Sequence, residues 1–100
     1  MNAESYANLV LRRLASLEPA SVFLAARARG KTAVLGFEDE GEWVPLFRIA
    51  NGSASFNVAD LQIRHGRRWE PSFVRGVPDK VADALAGEFR FLWQFHSQLN

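Results

Sequence analysis

Four turn signals lie between residues 21 and 75, each flanked by runs that alternate apolar and polar side chains. A period of two marks a strand with one face buried, so this stretch predicts a five-stranded antiparallel meander. Gly30-Lys31 suits a type II′ hairpin. It would pair Ala28 with Ala33, Ala26 with Leu35 and Leu24 with Phe37. One face then reads Val22, Leu24, Ala26, Ala28, Ala33, Leu35, Phe37, and the other carries Phe23, Arg27, Arg29, Thr32, Val34 and Glu38.

Asp39-Glu40-Gly41 reads as a three-residue loop with glycine in the left-handed position. That places Phe37 opposite Trp43 and continues the inner face through Trp43 and Phe47. Pro45 cannot donate to a ladder, so a bulge or a missing neighbour is expected there. Asn51-Gly52 is the favoured type I′ dipeptide and would pair Phe47 with Phe56 and Ile49 with Ala54. The phase slips beyond it, which predicts a bulge near Ala59-Asp60. The turn His65-Gly66-Arg67 would set Ile63 against Trp69 and Arg64 against Arg68. Pro71 fits the final strand, Arg68–Val74, as a sheet edge.

Both ends read as helices. Tyr6, Leu9, Val10, Leu14 and Leu17 form a stripe along Ser5–Leu17, and Glu18-Pro19 ends it. Pro78 and Asp79 open a second helix, expected to run from Pro78 to Leu99. Its polar residues share a narrow sector, which leaves an apolar arc of about 220°, wider than one packing surface needs. Glu88 and His96 interrupt the arc. The expectation is one α+β domain over residues 1–100, with strand order 1-2-3-4-5, strong curvature and both helices on the concave face. Its core would include Leu14, Leu24, Leu35, Phe37, Phe47, Phe56, Leu85, Phe89 and Leu92.

Composition narrows function mainly by exclusion. There is no cysteine, hence no disulfide, thiol nucleophile or zinc–thiolate site. No segment has the length of a membrane span and Met1–Leu17 has no signal pattern, so a cytoplasmic location is expected. Net charge is +1, without the bulk signature of a nucleic-acid binder. Ten of the twelve basic residues are arginine, as a GC-rich bacterial-like genome would encode.

No motif names a chemistry. No serine sits in a nucleophile elbow, and no glycine-rich loop precedes a helix. His65 and His96 lack metal-ligand spacing, and the acidic turn Glu38–Glu42 lacks the spacing of a calcium loop. No catalytic residue, metal or cofactor is therefore assigned. Three readings follow. The first is a non-enzymatic interaction module, a homodimer through Phe91, Trp93 and Phe95 of the last helix, with a protein or small-molecule partner. The second is a ligand pocket or enzyme, lined by Trp43, Phe47, Phe56, Trp93 and His96. The third is weak single-stranded nucleic-acid binding by Arg27, Arg29, Arg48, Arg64, His65, Arg67 and Arg68, with Phe23 or an exposed Trp69 for stacking.

Overall fold

The computed structural model describes residues 1–97. Helix α1 spans Ala3–Leu17. Its start is set by Asn2, whose side-chain oxygen accepts the Ser5 N–H at 2.8 Å and satisfies one of the helix's orphan donors. Glu18 leaves helical dihedrals before Pro19, and a 3₁₀ turn, Pro19–Phe23, leads into the sheet. Strands β1 (Ala25–Arg29), β2 (Thr32–Asp39), β3 (Glu42–Ala50), β4 (Ala59–His65) and β5 (Arg68–Gly76) form one antiparallel sheet in the order β1-β2-β3-β4-β5. Helix α2 (Pro78–Ala86), a 3₁₀ turn (Arg90–Leu92) and the short helix α3 (Gln94–Ser97) follow among the described residues.

The sheet is curled, and the helices fill its concave side. Tyr6, Val10 and Leu14 of α1 and Val81 and Leu85 of α2 join Leu35, Phe47, Ile49 and Leu61 in one buried cluster. Of the residues expected in the core, Leu14, Leu24, Leu35, Phe47, Phe56 and Leu85 lie in this cluster, Phe89 and Leu92 border it only partly covered, and Phe37 is buried against Phe23 and His96. Val22 departs from the expected inner face. It lies in the 3₁₀ turn before β1 and is 73 % exposed.

The last segment is broken where one long helix was expected. Gly87 leaves the helix at φ −104°, ψ −99°, and glycine is the weakest helix former after proline. The chain then folds back, so that Trp93 is wholly buried and its indole N–H donates to the Leu85 carbonyl at 2.7 Å. That carbonyl is one of the acceptors a helix C-terminus leaves without a partner. Gln98 and Leu99, the end of the expected helix, lie outside the described residues.

Register differs from expectation at three turns. The first hairpin is as read: Ala28 pairs with Ala33 and Ala26 with Leu35, and Gly30 takes φ +60°. Strand β1 begins at Ala25, so Leu24 and Phe37 are not a ladder pair. The second turn is shorter by one residue than expected. Glu40 (φ +51°) and Gly41 (φ +83°) both take left-handed dihedrals, the requirement of a two-residue type I′ turn whose twist matches the strands. Phe37 therefore faces Val44 and Glu38 faces Trp43, which sends Trp43 to the convex side.

A bulge then restores the phase. Leu35 pairs with Phe47 but Gly36 pairs with Pro45, so Leu46 is the extra residue and Phe47 points inward again. The proline sits beside the bulge, as its missing N–H requires. Gly36 is obligatory here, because a Cβ would collide with the Val44 carbonyl oxygen.

Asn51-Gly52 does not make a hairpin. Asn51 has φ +55° but Gly52 does not have a positive φ, and β3 and β4 are joined by a loop over residues 51–58. Phe47 pairs with Ile63 and Ile49 with Leu61, in place of Phe56 and Ala54. The phase slip read as a bulge near Ala59-Asp60 is this loop. It closes through Ser53 N–H to Val58 O (2.9 Å) and Phe56 N–H to Ser53 O (2.8 Å). The Phe56 ring folds inward against Gly52 and meets Tyr6 edge-on, with centroids 6.0 Å apart.

The fourth turn also loses a residue. Gly66 (φ +62°) and Arg67 form it alone, so His65 faces Arg68, Arg64 faces Trp69 and Ile63 faces Glu70. Trp69 thereby moves to the convex side with Arg64. Further along β5, Leu61 faces Val74 but Gln62 faces Pro71, leaving Ser72 and Phe73 unpaired in a bulge.

Tyr6 fastens α1 to the end of β5 by donating its hydroxyl hydrogen bond to the Gly76 carbonyl. Burial pushes the phenol up from 10.0 to about 12. A raised acid stabilises the fold fully below its unfolded pKa, and the contribution is lost as pH rises through the folded value. Stability is expected to fall between about pH 10 and pH 12. The chain has a single tyrosine, so phenolate absorbance measured during alkaline titration reports this site alone. In denaturant titration, Gly36→Ala is expected to cost about 1–3 kcal/mol, the range for forcing extra volume into a packed site.

Candidate functional site

With the helices on the concave side, the convex face of the sheet is left uncovered and carries the arginines. Alternation along β1 puts Arg27 and Arg29 there. The pairs Val34–Arg48, Arg48–Gln62, Arg64–Trp69 and Asp60–Arg75 carry the same face across to β5. Strand residues of this face include five arginines against two carboxylates, Glu38 and Asp60.

The centre of the face is Trp69. The guanidinium of Arg48 lies 5.1 Å from its ring centroid and that of Arg64 lies 4.9 Å away. Arg48 is held by its Nε–H, which donates to Gln62 Oε1 at 2.6 Å, and Arg64 by its own, which donates to the Gly66 carbonyl at 2.8 Å. Among the described residues neither forms an ion pair. Burial, with the positive charge of Arg64 beside it, lowers the Arg48 pKa. Two cations near one aromatic ring, without a carboxylate between them, form a site where an anion is favourable.

Away from that centre the charges are matched. Arg27 stacks on Trp43 at 4.1 Å but also donates to Glu38 at 2.6 Å. Arg75 binds the Asp60 carboxylate and the Asn51 carbonyl, each at 2.8 Å, and the Asn51 side chain donates to Asp60 at 3.0 Å. Burial works to raise the Asp60 pKa, but the hydrogen bonds from Arg75 and Asn51 outweigh it and hold the carboxyl below its usual range. This cluster ties the 51–58 loop to β4 and β5.

Two open clefts flank the face. One, of about 400 Å³, lies between Lys31, Thr32 and Arg48 on one side and the loop residues Asn51, Ser53 and Phe56 on the other. The second, of about 230 Å³, lies at the β5 bulge, bordered by Asn51, Asp60, Gln62, Ser72, Phe73 and Arg75. Ser72 holds the bulge in shape. Its hydroxyl donates to the Leu61 carbonyl and accepts the Val74 N–H at 3.1 Å, so the backbone groups freed by the bulge keep partners.

The arginines named from the sequence divide. Arg27, Arg29, Arg48 and Arg64 share the convex face, Arg67 stands at the turn, and His65 and Arg68 alternate to the other side. His65 Nδ1 lies 2.9 Å from Glu70 there. Phe23 is turned inward, packing on Phe37 with centroids 5.5 Å apart. The five residues of the expected pocket do not surround one space. Phe47, Phe56 and Trp93 are packed into the core, His96 lies against Phe37, and Trp43 is on the opposite face. Of the expected interface residues, Trp93 is buried while Phe91 and Phe95 are 58 % and 63 % exposed.

Arg75, Lys31 and Phe73 were missed. The adjacent apolar pair Phe73-Val74 just after Pro71 is a phase change in the sequence, and it marks the bulge. No known family model matches the chain, and no characterised protein or solved structure resembles it significantly.

Placement of the three tryptophans is directly measurable. In a Trp43→Phe, Trp69→Phe double variant, the remaining fluorescence is expected to resist quenching by acrylamide. The wild-type protein, with two half-buried indoles on the convex face, is expected to be quenched readily.

Proposed function

We propose that the chain is a non-enzymatic binding module, and that its convex sheet face binds single-stranded nucleic acid. The observation that carries the reading is Trp69 with Arg48 and Arg64 beside it, both cations without an acidic partner among the described residues. Open sheets take single strands in this way, with aromatic rings and guanidinium planes stacking on bases while cations meet phosphates. Lys31 and Arg29 at the top of β1–β2 and Arg67 at the β4–β5 turn extend the positive path. Arg27 adds less, because Glu38 neutralises it.

Binding to an oligothymidylate by fluorescence anisotropy tests the reading. It should be tight enough to measure at low salt and weaken steeply as salt rises. Removing a phosphate contact from a single strand flattens the log–log salt slope by roughly 0.7, so Arg48→Ala with Arg64→Ala should flatten it by about twice that. Absence of binding at low salt, or an unchanged slope, would refute the assignment.

A second reading is self-association, which the exposure of Phe91 and Phe95 favours. They lie at the end of the molecule where α3 packs on the Pro19–Phe23 turn, which also exposes Val22. Exposed apolar side chains grouped at one end suit an interface between copies. Sedimentation equilibrium should then give a dimer that Phe91→Ser with Phe95→Ser converts to a monomer. A monomeric wild-type protein at high micromolar concentration removes this reading.

A further inference from the structure

We infer that Phe73 is a stacking residue and that the cleft beside it holds one unstacked nucleobase of the bound strand. The inference rests on the nucleic-acid reading of the convex face. Phe73 is 92 % exposed, so it contributes nothing to the core. It also takes φ +65°, a left-handed conformation rare for a bulky side chain. Neither burial nor backbone preference accounts for a phenylalanine here. Such residues persist where the surrounding structure imposes them, and they cluster at ligand sites.

The surroundings do impose it. Pro71 breaks the ladder, and the Ser72 hydroxyl bridges Leu61 and Val74, so the bulge presents Phe73 at the rim of the 230 Å³ cleft. That volume is below the roughly 300–1,000 Å³ of pockets for drug-sized ligands, and suits a single ring system. The cleft wall offers hydrogen bonds to a base edge. Gln62 accepts from Arg48 through Oε1, which leaves its NH₂ donors. Asn51 donates to Asp60 through Nδ2, which leaves its Oδ1 acceptor.

Charge at this end is matched within the Arg75–Asp60 pair, whereas the Arg48–Arg64 end carries the unmatched cations. The face thus divides its work. Phosphates meet Arg48 and Arg64, and one base leaves the stack to lie on Phe73. A stacking contact is uncharged, so its loss should change affinity without changing salt dependence.

The test compares wild type with Phe73→Gly and Phe73→Asn, two residues at home in left-handed dihedrals, and with Phe73→Tyr, which keeps the ring. The probes are an oligothymidylate and inorganic polyphosphate, an anion chain without rings. Expected is a roughly tenfold weaker oligothymidylate complex for the glycine and asparagine variants. Their salt slope and polyphosphate binding should be unchanged, and they should melt no lower than wild type. Phe73→Tyr should bind like wild type. Unaltered oligothymidylate affinity in the glycine and asparagine variants would overturn this inference and leave the convex-face reading standing. Equal losses for both probes would overturn it too, by tracing the effect to charge or structure. If wild type binds no oligothymidylate at low salt, both readings fall together.

Discussion

A strand presents alternate residues to opposite faces, so one residue added or removed at a turn reverses everything after it. The convex face depends on that parity. The Glu40-Gly41 turn is one residue shorter than its glycine placement suggested, and it sends Trp43 outward. The Leu46 bulge then returns Phe47 to the core, so the inversion is confined to the first half of β3. The Gly66-Arg67 turn does the same to Trp69, and the two-residue bulge at Ser72–Phe73 leaves the phase unchanged, so Val74 stays on the side of Leu61. Two short turns, the first of them corrected by a one-residue bulge, therefore export two tryptophans while the core stays apolar.

The concave side is free to be a plain core. Among the described residues the only buried polar side chain there is Ser21, and the Tyr6 hydroxyl and Trp93 indole are tied off, on Gly76 and Leu85. Both bonds run from a side chain to a carbonyl at the end of an element. Tyr6 joins the first helix to the last strand, and Trp93 caps α2 with the segment that follows it. Where the helix breaks at Gly87, the fold-back lets the Trp93 indole take the place of the next helical N–H on the Leu85 carbonyl, and it removes the largest side chain of the segment from water.

Much of the fold was legible in the amino-acid sequence, because alternation and turn chemistry are local signals. Strand number, order, direction, the first hairpin and the burial of Leu35 and Phe47 follow from them, and the burial of Leu14 and Leu85 follows from helical periodicity. What was not legible depended on tertiary competition. Asn51-Gly52 has the preferred hairpin dipeptide, yet Phe56 gains more by packing on Tyr6 than by extending a strand, and the 51–58 loop results. The apolar arc over Pro78–Leu99 read as one helix because periodicity does not register a single break at Gly87. The site was half legible. The arginines on odd and even positions could be sorted within a strand, but sorting Arg68 from Arg64, and bringing Trp69 to Arg48, required the true length of the turn.

The central claim is that the convex face, reached by Trp43 and Trp69 and not by Trp93, is the working surface. Fluorine NMR of protein labelled with fluorotryptophan gives one resonance for each of the three indoles, without altering the chain. During titration with single-stranded oligothymidylate at low salt, the resonance of Trp69 should shift most, that of Trp43 less, and that of Trp93 should stay in place. Added salt should return the first two to their starting positions. A ligand that binds while Trp69 stays unmoved, or a spectrum that no oligonucleotide changes, would contradict the account.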